Sequence, residues 1–179
     1  VGDRPEIISE YDLQTPELFT IPTKDNFFMP AQILKPKNFN KAKKHPIIFH
    51  VYGGPSAPTV FDRWQGHSLF YDNMLLEMGY LIVKFDHRAS TAKSKKLENH
   101  VLRMMSGPIE RKDIVDGIRW LKSQSYIDPN RVGIWGWSGG GSFTLNLMTN
   151  TKEFQAGVSV APVTDWHYYD TKWAEFTMK

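Results

Sequence analysis

Apolar positions recur along this chain in two periods, every second residue or every third to fourth, and the changes of period divide it into strands and helices. Glu17–Pro22 and Met29–Leu34 are predicted as strands, and the short polar turn Thr23-Lys24-Asp25-Asn26 joins them as an antiparallel hairpin. Pro46–Tyr52 is a nearly continuous apolar run stopped by Gly53-Gly54-Pro55, the pattern of a central strand covered on both faces. Ser68–Met78 carries Leu69, Tyr71, Leu75, Leu76 and Met78 and ends at Gly79, which predicts a helix with a glycine stop. Tyr80–Phe85 is a further buried strand. Ile109–Ser123 sets Ile114, Ile118 and Leu121 at helical spacing, so it is predicted as an amphipathic cover helix. Arg131–Trp135 reads as a strand, Gly139–Thr149 as a helix and Ala156–Ala161 as a strand. Strands alternating with helices imply an α/β fold with a doubly wound, mostly parallel sheet. The polar, proline-punctuated residues 1–16 suit a connecting arm, which leaves 17–179 for the folded domain.

Composition changes little in this picture. The 179 residues are 41% hydrophobic and 23% charged, within the range of an ordinary globular domain. The formal charge of +3 resides partly in the lysine runs Lys41–Lys44 and Lys93–Lys96, which lack interleaved aromatics and read as solvated surface rather than a nucleic-acid patch. With no cysteine there is no thiolate nucleophile and no cysteine zinc site, and the redox compartment is left open. No apolar run reaches the roughly 18 to 20 residues of a membrane-spanning helix, and no signal peptide is evident. A start at Val1 and a stop at Lys179 without a closing element are read as two cut ends.

The candidate chemistry begins at Gly136-Trp137-Ser138-Gly139-Gly140, which matches the G-x-S-x-G nucleophile elbow between a predicted strand and a predicted helix. Such a turn is sharp and strained, and a side chain on either outer glycine would strike the neighbouring strand or helix. It lifts the serine Oγ above the sheet and turns the Gly139 N–H, at the helix start, toward an oxyanion. Tyr52, at the carboxyl end of an earlier central strand, stands where catalytic loops gather in open α/β sheets. Its hydroxyl suits a second oxyanion donor; a packing tyrosine before a turn is the other reading. Trp166, Tyr169 and Trp173 recur at spacings of three and four, so they are expected to share one helical face, either lining an apolar pocket or packing in the core. The carboxylates Glu110, Asp113 and Asp116 are read as a solvated helix face and not as a metal site. His167, flanked by Asp165 and Asp170, invites assembly of a triad within the chain, a weaker reading. No metal and no cofactor is expected.

Taken together, these motifs resemble the catalytic domain of the prolyl oligopeptidase family, in its dipeptidyl peptidase IV branch. The resemblance runs from the hairpin through Tyr52–Pro55, Asp86-His87-Arg88, Asp128-Pro129-Asn130-Arg131 and Gly136-Trp137-Ser138 to Ala161-Pro162-Val163, Trp166 and Tyr168-Tyr169-Asp170. It implies an α/β-hydrolase fold cut short at its C-terminal end, with a β-propeller before Val1 and the triad's Asp and His beyond Lys179. It further implies Ser138 as nucleophile, Tyr52 and Gly139 as the oxyanion hole, and Val163, Trp166, Tyr169 and Trp173 as walls of a pocket for proline or alanine. The implied partner is a peptide substrate, and the intact parent has room to be a homodimer, periplasmic, secreted or cytoplasmic. The chain departs from the branch at Gly139, where an aromatic is usual, at Trp173, where a tyrosine is usual, and at Ala89, where many relatives have glycine. The first two bear on pocket width, the third on a loop alone. An esterase or acylaminoacyl hydrolase of the same fold, or a fragment without activity, are the alternatives.

Overall fold

In a computed structural model that describes residues 4–178, six strands form one sheet in the order β1-β2-β4-β3-β5-β6. The strands are β1 (Glu17–Pro22), β2 (Phe28–Leu34), β3 (His45–His50), β4 (Leu81–Phe85), β5 (Ile127–Trp137) and β6 (Ala156–Val160). The hairpin β1–β2 is antiparallel, and β2 also meets β4 antiparallel, whereas β3 pairs in parallel with β4 and β5, and β5 with β6. The sheet is therefore mostly parallel beyond its hairpin edge, as expected. The elbow strand begins earlier than its apolar residues suggest: Asp128–Arg131 lies inside β5, with an irregularity in the β3–β5 register between His45 and Ile47.

Alternation along the strands sorts side chains to two faces. Ile47 and Phe49 of β3, Leu81, Val83 and Phe85 of β4 and Ile134 of β5 join Ile114, Ile118 and Leu121 of α4 (Pro108–Lys122) and Phe143 and Leu147 of α5 (Gly139–Asn150) in the main core. On the other face Leu34 and Ile82 meet Leu69, Leu75 and Leu76 of α2 (His67–Glu77). Helices cover both faces, so the sheet is doubly wound. The short helices α1 (Pro5–Glu10), α3 (Lys95–Glu98) and α6 (Thr171–Met178) complete the chain. Along the α2 side of β3, β5 and β6 runs an open apolar groove of about 800 Å³, in which Val158 and Trp137 are largely exposed.

Within the N-terminal segment Pro5–Glu10 is helical, and the Gln14 N–H donates to the Asn73 side chain of α2. One expectation needs correction: Glu110, Asp113 and Asp116 are not solvated, since all three are buried. Asp113 accepts from the backbone N–H and the guanidinium of Arg88, Asp116 from the Lys24 N–H, and Glu110 from the Gly107 N–H at the start of its own helix. Buried carboxylates need such partners, and these ones bind α4 to the turn after β4 and to the β1–β2 hairpin.

Candidate active site

Two strand ends and one helix start converge at the carboxyl edge of the sheet. β5 runs into the elbow, and Ser138 adopts φ 54° and ψ −117°, a conformation that costs a non-glycine residue about 1 to 3 kcal/mol unless its surroundings enforce it. They do so with hydrogen bonds, for the Ser138 N–H donates to the Val160 carbonyl (2.9 Å) and the Ser142 N–H to the Ser138 carbonyl (3.0 Å). Crowding does the rest: a Cβ on Gly136 would overlap the backbone of Gly140, and a Cβ on Gly140 would overlap the Val51 carbonyl oxygen. Both outer glycines of the motif are thus required by close backbone approach, as its spacing predicts.

Tyr52 stands immediately beyond the end of β3, and its ring lies against Gly139. A Cβ on Gly139 would have Tyr52 Cζ at 3.9 Å and Cε2 at 4.0 Å, so the phenol edge sits beside the first residue of α5. Tyr52 is 38% exposed, which leaves it accessible from solvent. Ser138, Gly139 and Tyr52 are therefore brought together from two strand ends that are far apart in sequence.

The loop that carries Tyr52 is held by the residues that follow β4. His87 Nε2 lies 2.9 Å from the Gly53 carbonyl oxygen, the Ser56 N–H donates to the Ala89 carbonyl (2.9 Å), and the Asp86 carboxylate accepts from the Thr59 and Val60 N–H groups and the Thr59 hydroxyl. A carbonyl oxygen only accepts, so Nε2 carries the proton. Burial lowers the His87 pKa to about 4, the Gly53 contact opposing it, and the ring is neutral at physiological pH. Ala89, read in sequence as a loop change only, is buried among these contacts.

Downstream, the turn after β6 is fastened to α5 through Ser142, whose hydroxyl donates to the Val163 carbonyl (2.8 Å) and accepts from the Val163 N–H (3.0 Å). Val163 is thereby held one helical turn from Ser138. Trp166, Tyr169 and Trp173 form one ring cluster with centroids 5.4 to 5.9 Å apart. They do not share a helical face, however. Trp166 begins a 3₁₀ turn, Tyr169 is extended, and Trp173 belongs to α6, so the chain bends to bring the rings together. His167 donates its backbone N–H to Asp165, and its Nδ1 lies 2.6 Å from the same carboxylate, yet the side chain is 91% exposed. Among the described residues no cluster of three or more histidines and carboxylates is arranged to hold a metal ion, and no helix is long and apolar enough to cross a membrane.

Sequence reasoning overlooked Ser142 and the contact of His87. The signal for His87 was its place directly after a strand, at the edge of the sheet where loops converge; for Ser142 there was none, since a serine inside a glycine-rich helix start has no pattern of its own.

Comparison with known proteins gives a consistent result. A sequence model of the prolyl oligopeptidase family matches residues 68–179. Mouse (Mus musculus) dipeptidyl peptidase 8 is 37% identical over 166 residues, 92% of this chain and 18% of the relative. A protein named probable dipeptidyl-aminopeptidase B from Ajellomyces dermatitidis is 36% identical over 159 residues, 88% of this chain and 17% of the relative. The crystal structure of a putative dipeptidyl aminopeptidase IV from Bacteroides ovatus superposes with a TM-score of 0.88 at 36% identity, covering 98% of this chain and 25% of the other. That of Porphyromonas gingivalis dipeptidyl peptidase 4 gives 0.86 at 29% identity, covering 93% and 23%. The doubly wound sheet is accordingly that of an α/β hydrolase, and the chain spans less than a fifth of the length of these curated relatives.

Proposed function

This chain belongs to the prolyl oligopeptidase family, and we propose that it is the nucleophile-bearing part of a serine peptidase that removes short N-terminal segments from peptides, cleaving after proline or alanine. The observation that carries this reading is Ser138 held at φ 54° in a strand-to-helix elbow, with the Gly139 N–H at the helix start and the Tyr52 phenol beside it. In the proposed reaction Ser138 Oγ attacks the peptide carbonyl as its proton passes to a general base. The oxyanion accepts hydrogen bonds from the Gly139 N–H and the Tyr52 hydroxyl. Collapse breaks the C–N bond, the amine leaves with the proton, and water then hydrolyses the acyl-serine.

Val163, Trp166, Tyr169 and Trp173 are assigned to the wall of the pocket for the residue before the scissile bond, where flat rings suit a pyrrolidine or a methyl group. The names of the relatives, dipeptidyl peptidases and dipeptidyl-aminopeptidases, support release of N-terminal dipeptides. The base and its carboxylate partner are assigned to residues outside this chain, so the 179-residue chain alone is expected to label only slowly with fluorophosphonate.

The test is made on the full-length protein with X-Pro and X-Ala anilides, a simple ester and a fluorophosphonate. Ser138→Ala should abolish labelling and lower turnover on the order of 10⁴-fold or more. Retained labelling in that variant would remove Ser138 from the role, and an ester turned over far better than either anilide would replace peptidase by esterase.

A further inference from the structure

We propose that His87 is a positioning residue for the oxyanion hole, acting through the Gly53 peptide to set the place of the Tyr52 hydroxyl; this rests on the peptidase reading above. Gly53 adopts a φ of +73°, which suits a residue without a side chain. A Cβ there would meet the Phe143 ring at 2.6 Å and His87 Nε2 at 3.2 Å, so the Gly53 backbone is gripped between two buried rings. Phe143 belongs to α5, five residues after Ser138, and its ring packs 5.3 Å from that of His87. The grip on Gly53 therefore refers the Tyr52 loop to the same helix that bears the candidate nucleophile.

His87 adds direction to this contact. Its Nε2–H points one hydrogen bond at the Gly53 carbonyl and fixes the rotation of the peptide plane that follows Gly53. Tyr52 is the adjoining residue, and its ring has a narrow seat: a Cβ on Gly54 would meet Tyr52 Cε1 at 2.6 Å, while Gly139 bounds the other side. A small rotation about Gly53 would therefore swing the phenol out of this slot. His87 is itself immobilised, since its carbonyl accepts from both the N–H and the hydroxyl of Ser90 (3.0 Å each), and Asp86 beside it holds Thr59 and Val60. A rigid buried donor of this kind preorganises a catalytic group without touching the substrate.

The experiment uses the full-length protein with an X-Pro anilide and a simple ester, because both pass through an oxyanion. His87→Leu keeps bulk but loses the donor, and His87→Gln returns an N–H at the reach of Nε2. His87→Leu is expected to lower kcat roughly ten- to a hundredfold with KM changed by less than about twofold, and His87→Gln to recover most of the loss. The deciding measurement is a double-mutant cycle with Tyr52→Phe, in which His87→Leu should cost little further kcat once the hydroxyl is gone. Should His87→Leu fail to fold, His87→Asn, whose amide stops short of Gly53, takes its place in the cycle. An active wild type whose losses simply add, or whose kcat is untouched by either variant, overturns this role alone. A wild type that turns over neither substrate and takes no fluorophosphonate label overturns both this role and the peptidase reading.

Discussion

Gly140 meets Val51 backbone to backbone: the place of a Cβ on Gly140 is already occupied by the Val51 carbonyl oxygen. Gly139, one residue earlier, has only Tyr52 atoms at 3.6 to 4.0 Å from the same construction, an ordinary van der Waals contact. Two neighbouring glycines should thus respond oppositely to one methyl group. Gly140→Ala is expected to cost about 3 kcal/mol or more of stability and to abolish rapid fluorophosphonate labelling, because β3 and α5 must separate. Gly139→Ala should retain both. Melting temperature and labelling rate of the two variants of the full-length protein decide it, and normal labelling in Gly140→Ala would mean that the elbow yields where packing says it cannot.

Trp166 tests the pocket. It stacks on Trp173 at 5.6 Å with planes 25° apart and meets Tyr169 edge-on at 5.9 Å, so its removal strips one face from the three-ring cluster proposed as the pocket wall. A wall contacts substrate in the ground state as well as in the transition state, and losing it weakens both alike. Trp166→Ala should raise KM roughly tenfold on an X-Pro anilide, leave kcat within about threefold, and narrow the preference for X-Pro over X-Ala. An unchanged KM with a lowered melting temperature would make the trio a packing cluster.

The contrast between what was legible and what was not follows the range of the interactions. β4 announced itself as an apolar run because a strand covered on both faces hides every residue, β3 and β5 did so although an open groove leaves one of their faces partly uncovered, and the elbow was legible because its glycines and serine lie within five consecutive positions. The acidic stripe of α4 was misread for the opposite reason. Its spacing on the helix was seen, but its partners, Arg88 and the Lys24 N–H, lie 25 residues from Asp113 and 92 from Asp116, and no local pattern points to them. The single helical face expected of Trp166, Tyr169 and Trp173 failed because Asp165 takes the His167 N–H and starts a 3₁₀ turn that the spacing alone does not reveal. The contact of His87 was not legible either, because its partner is a backbone carbonyl, which leaves no trace in residue types.

Glu110 supplies a prediction whose sign follows from its burial. Loss of hydration raises its pKa from 4.5 to about 7; the Gly107 and Ser106 N–H groups pull it back only in part, and the charge of Asp113 adds to the rise. Between those two values the folded protein keeps the proton that the unfolded chain releases. The stabilisation is therefore complete below pH 4.5 and is lost as pH rises through about 7, on the order of 3 kcal/mol if no other group compensates. His87 and His50 act in the opposite sense, for burial lowers their pKa values to about 4 and about 3, so their contribution is lost on acidification. The wild-type pH profile mixes these effects, and a variant at one site separates them. Glu110→Gln still offers an oxygen to the Gly107 N–H but has no proton to lose. Its melting temperature relative to wild type should thus shift in its favour, by several degrees, when the pH is raised from 5 to 8. A difference that stays constant across that range would mean that Glu110 ionises in the fold as readily as it does in water, and that its burial is relieved by contacts other than those at the start of α4.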